Sequence, residues 1–126
     1  MKSVWTSRET IALVEPDETY AWICVKDPNL PDVFTPYEDK WKHVLRLAFY
    51  DAPGAAGITD EDAKKIIKFL EELQELPNCI EHIICSCEMG VSRSAGICKF
   101  VLEYYDEEFP DGSYFSKDVY NKLREV

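Results

Sequence analysis

The sequence predicts an α/β fold in which a central, mostly parallel sheet is flanked by helices, with residues 1–126 forming a single domain. Three observations lead there. Short apolar runs at Tyr20 to Val25, Val44 to Phe49 and Ile80 to Cys85 read as buried strands. Apolar residues recur at helical spacing from about Asp60 to Leu76 and from Ala95 to Tyr105. The resulting succession of strand, helix, strand and helix implies a right-handed parallel crossover. A chain of 126 residues is long enough for one packed core.

In order along the chain, Val4 to Thr6 reads as a short first strand. Ser7 caps a helix over Arg8 to Val14 that ends near Pro16. The Tyr20 strand is apolar on both faces and closes at Asp27-Pro28-Asn29. Residues Pro28 to Lys40 hold three prolines and no clear period, which predicts a surface loop anchored by Phe34 and Tyr37. After the Val44 strand, Asp51 to Gly57 has the composition of a flexible loop. Thr59 and Asp62 then open the long helix, whose stripe of Ile66, Ile67, Phe69, Leu70, Leu73 and Leu76 faces the sheet. Phe109-Pro110-Asp111-Gly112 breaks the chain before a last helix near Ser116 to Arg124. No repeat, linker or low-complexity segment interrupts this plan.

Composition excludes some functions. With 24 acidic and 14 basic residues the net charge is −10, which argues against a general nucleic-acid or anionic-membrane surface. Affinity for phosphate must then be local. Met1 to Glu9 contains no continuous apolar core of a signal peptide, and no apolar run reaches about 18 residues. Five cysteines, an odd number, suit a reducing compartment, so a cytoplasmic location is expected. Cys24, Cys79 and Cys98 read as core thiols. No metal or cofactor is expected: Cys79, His82, Cys85 and Cys87 lack the paired spacing of common zinc sites. A Cys85–Cys87 disulfide is disfavoured, because alternate strand residues hold their Cβ atoms about 6 to 7 Å apart.

The chemistry concentrates in Cys87-Glu88-Met89-Gly90-Val91-Ser92-Arg93-Ser94, a loop joining a strand to a helix. At such a junction free backbone N–H groups can converge on an anion. A cysteine at their focus, beside a guanidinium, is pushed towards thiolate and becomes a nucleophile at neutral pH. Gly90 permits close backbone approaches. Arg93 offers a planar donor fork that suits two phosphoryl oxygens. Ser94 can donate its hydroxyl to the sulfur as a phospho-cysteine breaks down. The main chain of Glu88, Met89, Gly90, Val91, Ser92 and Arg93 is then the expected substrate cradle.

This octapeptide resembles the signature loop of the protein tyrosine phosphatase superfamily, and its G-x-S-R-S ending is most similar to the dual-specificity branch. The resemblance implies a protein-tyrosine-phosphatase-like fold. It also implies hydrolysis of phosphotyrosine, and of phosphoserine or phosphothreonine as well, through a phospho-cysteine. Accidental agreement at Gly, Arg and Ser beside a given cysteine has odds on the order of one in two thousand. The expected substrate is a phosphorylated protein or a small phosphomonoester. With no Lys between Cys87 and Arg93 the pocket lacks the extra charge suited to inositol lipids.

Such a phosphatase needs a proton for the leaving oxygen, and an aspartic acid on a mobile loop can supply it. Asp51 follows the Val44 strand, so it should share the carboxyl rim of the sheet with Cys87. The family's acid likewise follows a strand upstream of the cysteine, and Leu45 to Asp51 is similar in character. Asp60 and Asp62 are weaker candidates, since helix capping already accounts for them. The family usually places a histidine before the nucleophile, where this chain has Ser86. That departure motivates an alternative: a non-catalytic or weakly catalytic phospho-residue-binding module.

Overall fold

Strands Lys2–Ser7 (β1), Tyr20–Lys26 (β2), Val44–Ala48 (β3) and His82–Cys87 (β4) form one sheet in the order β1-β4-β2-β3. Every neighbouring pair is parallel. This is seen in a computed structural model that describes residues 2–77 and 79–126. Helices span Arg8–Ile11 (α1), Asp60–Gln74 (α2), Arg93–Tyr104 (α3) and Lys117–Glu125 (α4). The protein is thus an α/β fold with a four-stranded parallel sheet. Because β2 lies between β3 and β4, the chain carried by α2 crosses over β2 before it pairs.

Side chains alternate across a strand, so the central strands feed two different layers. Ala21, Ile23 and Val25 of β2 join Ile83, Cys85 and Cys87 of β4 in a core completed by α2, α3 and α4. Trp22, Cys24 and Ile84 face the other way and pack with Ile11, Val33 and Trp41. Helices therefore dominate one layer, while the other is closed by the single turn of α1 and by irregular chain. Among the described residues no helix is long and apolar enough to cross a membrane.

Local chemistry explains the helix starts. At α2, Thr59 Oγ1 accepts from the Asp62 N–H at 3.1 Å and the Asp62 carboxylate accepts from the Thr59 N–H at 3.1 Å, a reciprocal cap. The α2 stripe buries Ala63, Ile66, Leu70 and Leu73. The helix expected over Arg8 to Val14 is only one turn long. Ser7 caps it as expected, but Leu13 and Val14 reach back three residues rather than four, and the Thr35 hydroxyl donates to the Ala12 carbonyl at 2.9 Å. That side chain takes an acceptor that a longer helix would have used.

Three further expectations are corrected. Cys79 is exposed rather than a core thiol, because it precedes β4 instead of entering it. Cys24, Cys85, Cys87 and Cys98 are buried, and all five thiols are free. Phe34 is exposed and, among the described residues, belongs to neither core layer, whereas Tyr37 packs against the second. The Asp51 to Gly57 segment is a folded turn: Tyr50 N–H donates to Ala56 O at 2.9 Å, and a Cβ at Gly57 would meet Ala52 O.

Candidate active site

With every strand parallel, Ser7, Lys26, Ala48 and Cys87 end on one rim of the sheet. Cys87 is the last residue of β4 and is 2% exposed. Gly90 turns the loop back with φ of 71°, packed so closely on β1 that a Cβ there would lie 2.4 Å from Ser7 N. Arg93 and Ser94 then open α3. The N-cap, Ser92, makes no side-chain capping bond, so first-turn N–H groups are left for an anion.

The sulfur sits at the focus of this turn. Ser94 Oγ lies 3.1 Å from Cys87 Sγ, and with the sulfur ionised that hydroxyl is the donor. Burial pushes the Cys87 thiol up. The Ser94 hydroxyl, then the N–H groups of Ser94, Gly90 and Val91, outweigh it, and the net shift is downward. Cys85 behaves oppositely: its hydrogen bond with Cys98 and its complete burial raise it well above an ordinary thiol.

Arg93 is 5% exposed and held by one nitrogen. Its Nη1 donates to Phe49 O at 2.6 Å and lies 2.7 Å from Asp27 Oδ1. Among the described residues Nε and Nη2 have no protein partner, so the planar edge is left for a ligand. Asp27, at the end of β2, was not singled out from the sequence. The rule that parallel strands end on one rim, which points to Asp51 three residues past β3, points equally to Asp27, the residue directly after β2.

Asp27 belongs to a chain of charges across three strand ends. Its N–H donates to Glu88 Oε1 at 3.3 Å. Both carboxylate oxygens of Glu88 accept from Arg8 Nη1 at 3.0 Å, and Arg8 Nη2 donates to Pro31 O at 2.7 Å. The Glu88 side chain is therefore turned to Arg8 and away from the cavity; only its main chain remains in the loop. We expect Arg8→Ala to cost about 1–2 kcal/mol in urea unfolding, because it leaves a mostly buried carboxylate without its cation. Adding Glu88→Gln should recover part of that loss, and strict additivity would rule the coupling out.

A cavity of about 430 Å³ opens above the sulfur, lined by Asp51, Cys87, Met89, Val91, Ser92, Arg93 and Tyr114. The structure thus brings Asp51 to the same recess as Cys87 and Arg93. Asp62 is spent on the α2 cap, and Asp60 pairs with Lys122 at 3.0 Å, lining a different cavity between α2 and α4. Tyr114 was not anticipated either; it comes from the connection before α4. Ser86, where a histidine was the usual expectation, faces the opposite layer and accepts from Trp22 Nε1 at 2.7 Å. Among the described residues no group of three or more His, Cys, Asp or Glu is arranged to hold a metal ion.

No protein-family model matches the chain, and no curated protein matches it.

Proposed function

We propose that this chain is a cysteine-dependent phosphomonoester hydrolase with a protein-tyrosine-phosphatase-like fold, resembling the dual-specificity branch. Its substrates are phosphotyrosine, with phosphoserine and phosphothreonine, in proteins of a reducing cytoplasm. The observation that carries this reading is the sulfur of Cys87. It is lowered towards thiolate by Ser94 and by loop N–H groups, and it opens on a cavity shared with Arg93 and Asp51.

Cys87 thiolate attacks phosphorus, forming an S–P bond as the bond to the leaving oxygen breaks. Asp51 gives its proton to that oxygen. Loop N–H groups from Glu88 to Arg93, with the free edge of Arg93, hold the equatorial oxygens as charge redistributes. Asp51, now a carboxylate, takes a proton from water, whose oxygen attacks phosphorus. The S–P bond breaks, returning its electron pair to sulfur, where the Ser94 hydroxyl receives it, and inorganic phosphate leaves.

The test is hydrolysis of phenyl phosphate and p-nitrophenyl phosphate by pure protein in excess chelator. Turnover is expected, since no step calls for a metal. Asp51→Asn should slow phenyl phosphate by about 10²-fold, and p-nitrophenyl phosphate less, because a better leaving group needs the proton less. Wild-type protein that binds phosphopeptides but turns over neither ester would replace this reading with a phospho-residue-binding module.

A further inference from the structure

More of the cavity is present than the phosphoryl group can use, and what surrounds the remainder points to the group attached to it; the inference rests on the phosphatase reading for its chemistry. A phosphoryl group with its four oxygens has five heavy atoms. At water's share of roughly 30 Å³ per heavy atom it takes about 150 Å³, well under half of the 430 Å³ available. The apolar walls of the rest are Met89, Val91 and Tyr114, which are 78%, 51% and 67% exposed. Large apolar side chains standing in water around an anion cradle gain free energy only when a ligand covers them.

Tyr114 is exposed, yet the segment that carries it is fastened on both sides. Ser116 N–H donates to Ser92 O at 3.0 Å, tying this segment to the signature loop at the N-cap of α3. Phe109 and Phe115 meet edge to face at 5.6 Å; Phe109 also stacks on Trp5 at 5.0 Å, and Phe115 meets Tyr120 at 5.5 Å. Its neighbours thus turn inward while the Tyr114 ring is presented to the recess. A segment fastened this way has little backbone freedom left to lose on binding, which favours a selective contact by the side chain it presents.

We propose that Tyr114 is the specificity-determining residue of this site and selects aryl over alkyl phosphates. The ring of a phosphotyrosine packs against Tyr114, with Met89 and Val91 closing the other side, while its phosphoryl group enters the cradle below. A phosphoserine places its phosphoryl group in the same cradle but has no ring to cover these walls.

The experiment measures binding of two peptides of one sequence, carrying phosphotyrosine or phosphoserine, to Cys87→Ser protein with and without Tyr114→Ala. A preference for phosphotyrosine of about tenfold is expected, falling to within about twofold of parity in Tyr114→Ala and retained in Tyr114→Phe. Equal binding of the two peptides, binding of neither, or a preference that survives Tyr114→Ala each overturns the proposal. Absence of turnover by the wild-type protein, with the preference intact, overturns the hydrolase reading and leaves the selectivity standing.

Discussion

Replacing Cys87 by serine is expected to reduce aryl phosphate hydrolysis by on the order of 10⁴-fold or more, with the anion site still intact. A hydroxyl at this position has no access to the ionised state that the loop creates for sulfur. The donors remain: the N–H groups of Gly90, Val91 and Ser94 do not depend on the side chain, and Arg93 stays fixed by Phe49 O and Asp27. Removing the negative sulfur also relieves its repulsion of a phosphate dianion. Tungstate should therefore bind Cys87→Ser at least as tightly as wild type, while kcat collapses. Residual turnover within tenfold of wild type would exclude Cys87 as the nucleophile.

The same sulfur sets a pH dependence. Its folded value is lowered from that of an ordinary cysteine thiol by the Ser94 hydroxyl and the loop N–H groups. The ionised thiol therefore stabilises the fold fully above the unfolded value, and that contribution is lost as pH falls through the folded one. Activity should rise with pH through the folded value, below the range of an ordinary thiol. Ser94→Ala should move that rise to higher pH, because the Ser94 hydroxyl is the strongest influence holding the thiol down.

The second large effect is on folding. Gly90→Ala puts a methyl group 2.4 Å from Ser7 N, 2.5 Å from Thr6 C and 2.8 Å from Ser7 Cα, all of them backbone atoms of β1 that cannot turn aside. It also forces an L-residue to φ of 71°. The positive φ costs about 1–2 kcal/mol and the overpacking about 1–3 kcal/mol, which together should lower Tm by about 10 °C or more. Whatever relief the loop finds must carry the Gly90 and Val91 N–H groups away from the sulfur, so tungstate binding should weaken too. Gly112→Ala is the matched comparison: φ is 77°, but nothing lies within 4 Å of the added carbon. It should show the conformational cost alone. Equal Tm losses for the two variants would remove the β1 contact from the account.

How much could be read beforehand depended on the range of the interaction. The strands and long helices declare themselves through periodicity, and α2 through its Thr59–Asp62 cap, so their bounds lie close to those expected. Cys87, Arg93 and Ser94 sit in one continuous octapeptide, and Asp51 follows from the rule that parallel strands end on a common rim. Arg8, Asp27 and Tyr114 escaped notice for a common reason. Each reaches the loop only because β4 is inserted between β1 and β2, or because α3 returns the chain to its own start, and neither arrangement leaves a local pattern. The shortened α1 likewise depends on Thr35, 23 residues away from the carbonyl it binds.

The charge relay from Arg8 through Glu88 and Asp27 to Arg93 has a last consequence. It draws on chain segments far apart in sequence, so the cradle is a product of tertiary assembly and not of the octapeptide. A synthetic fragment spanning residues 83–96 would hold every signature residue and behave as ordinary thiol-bearing coil, because the ends of β1 and β2 that shape it would be missing.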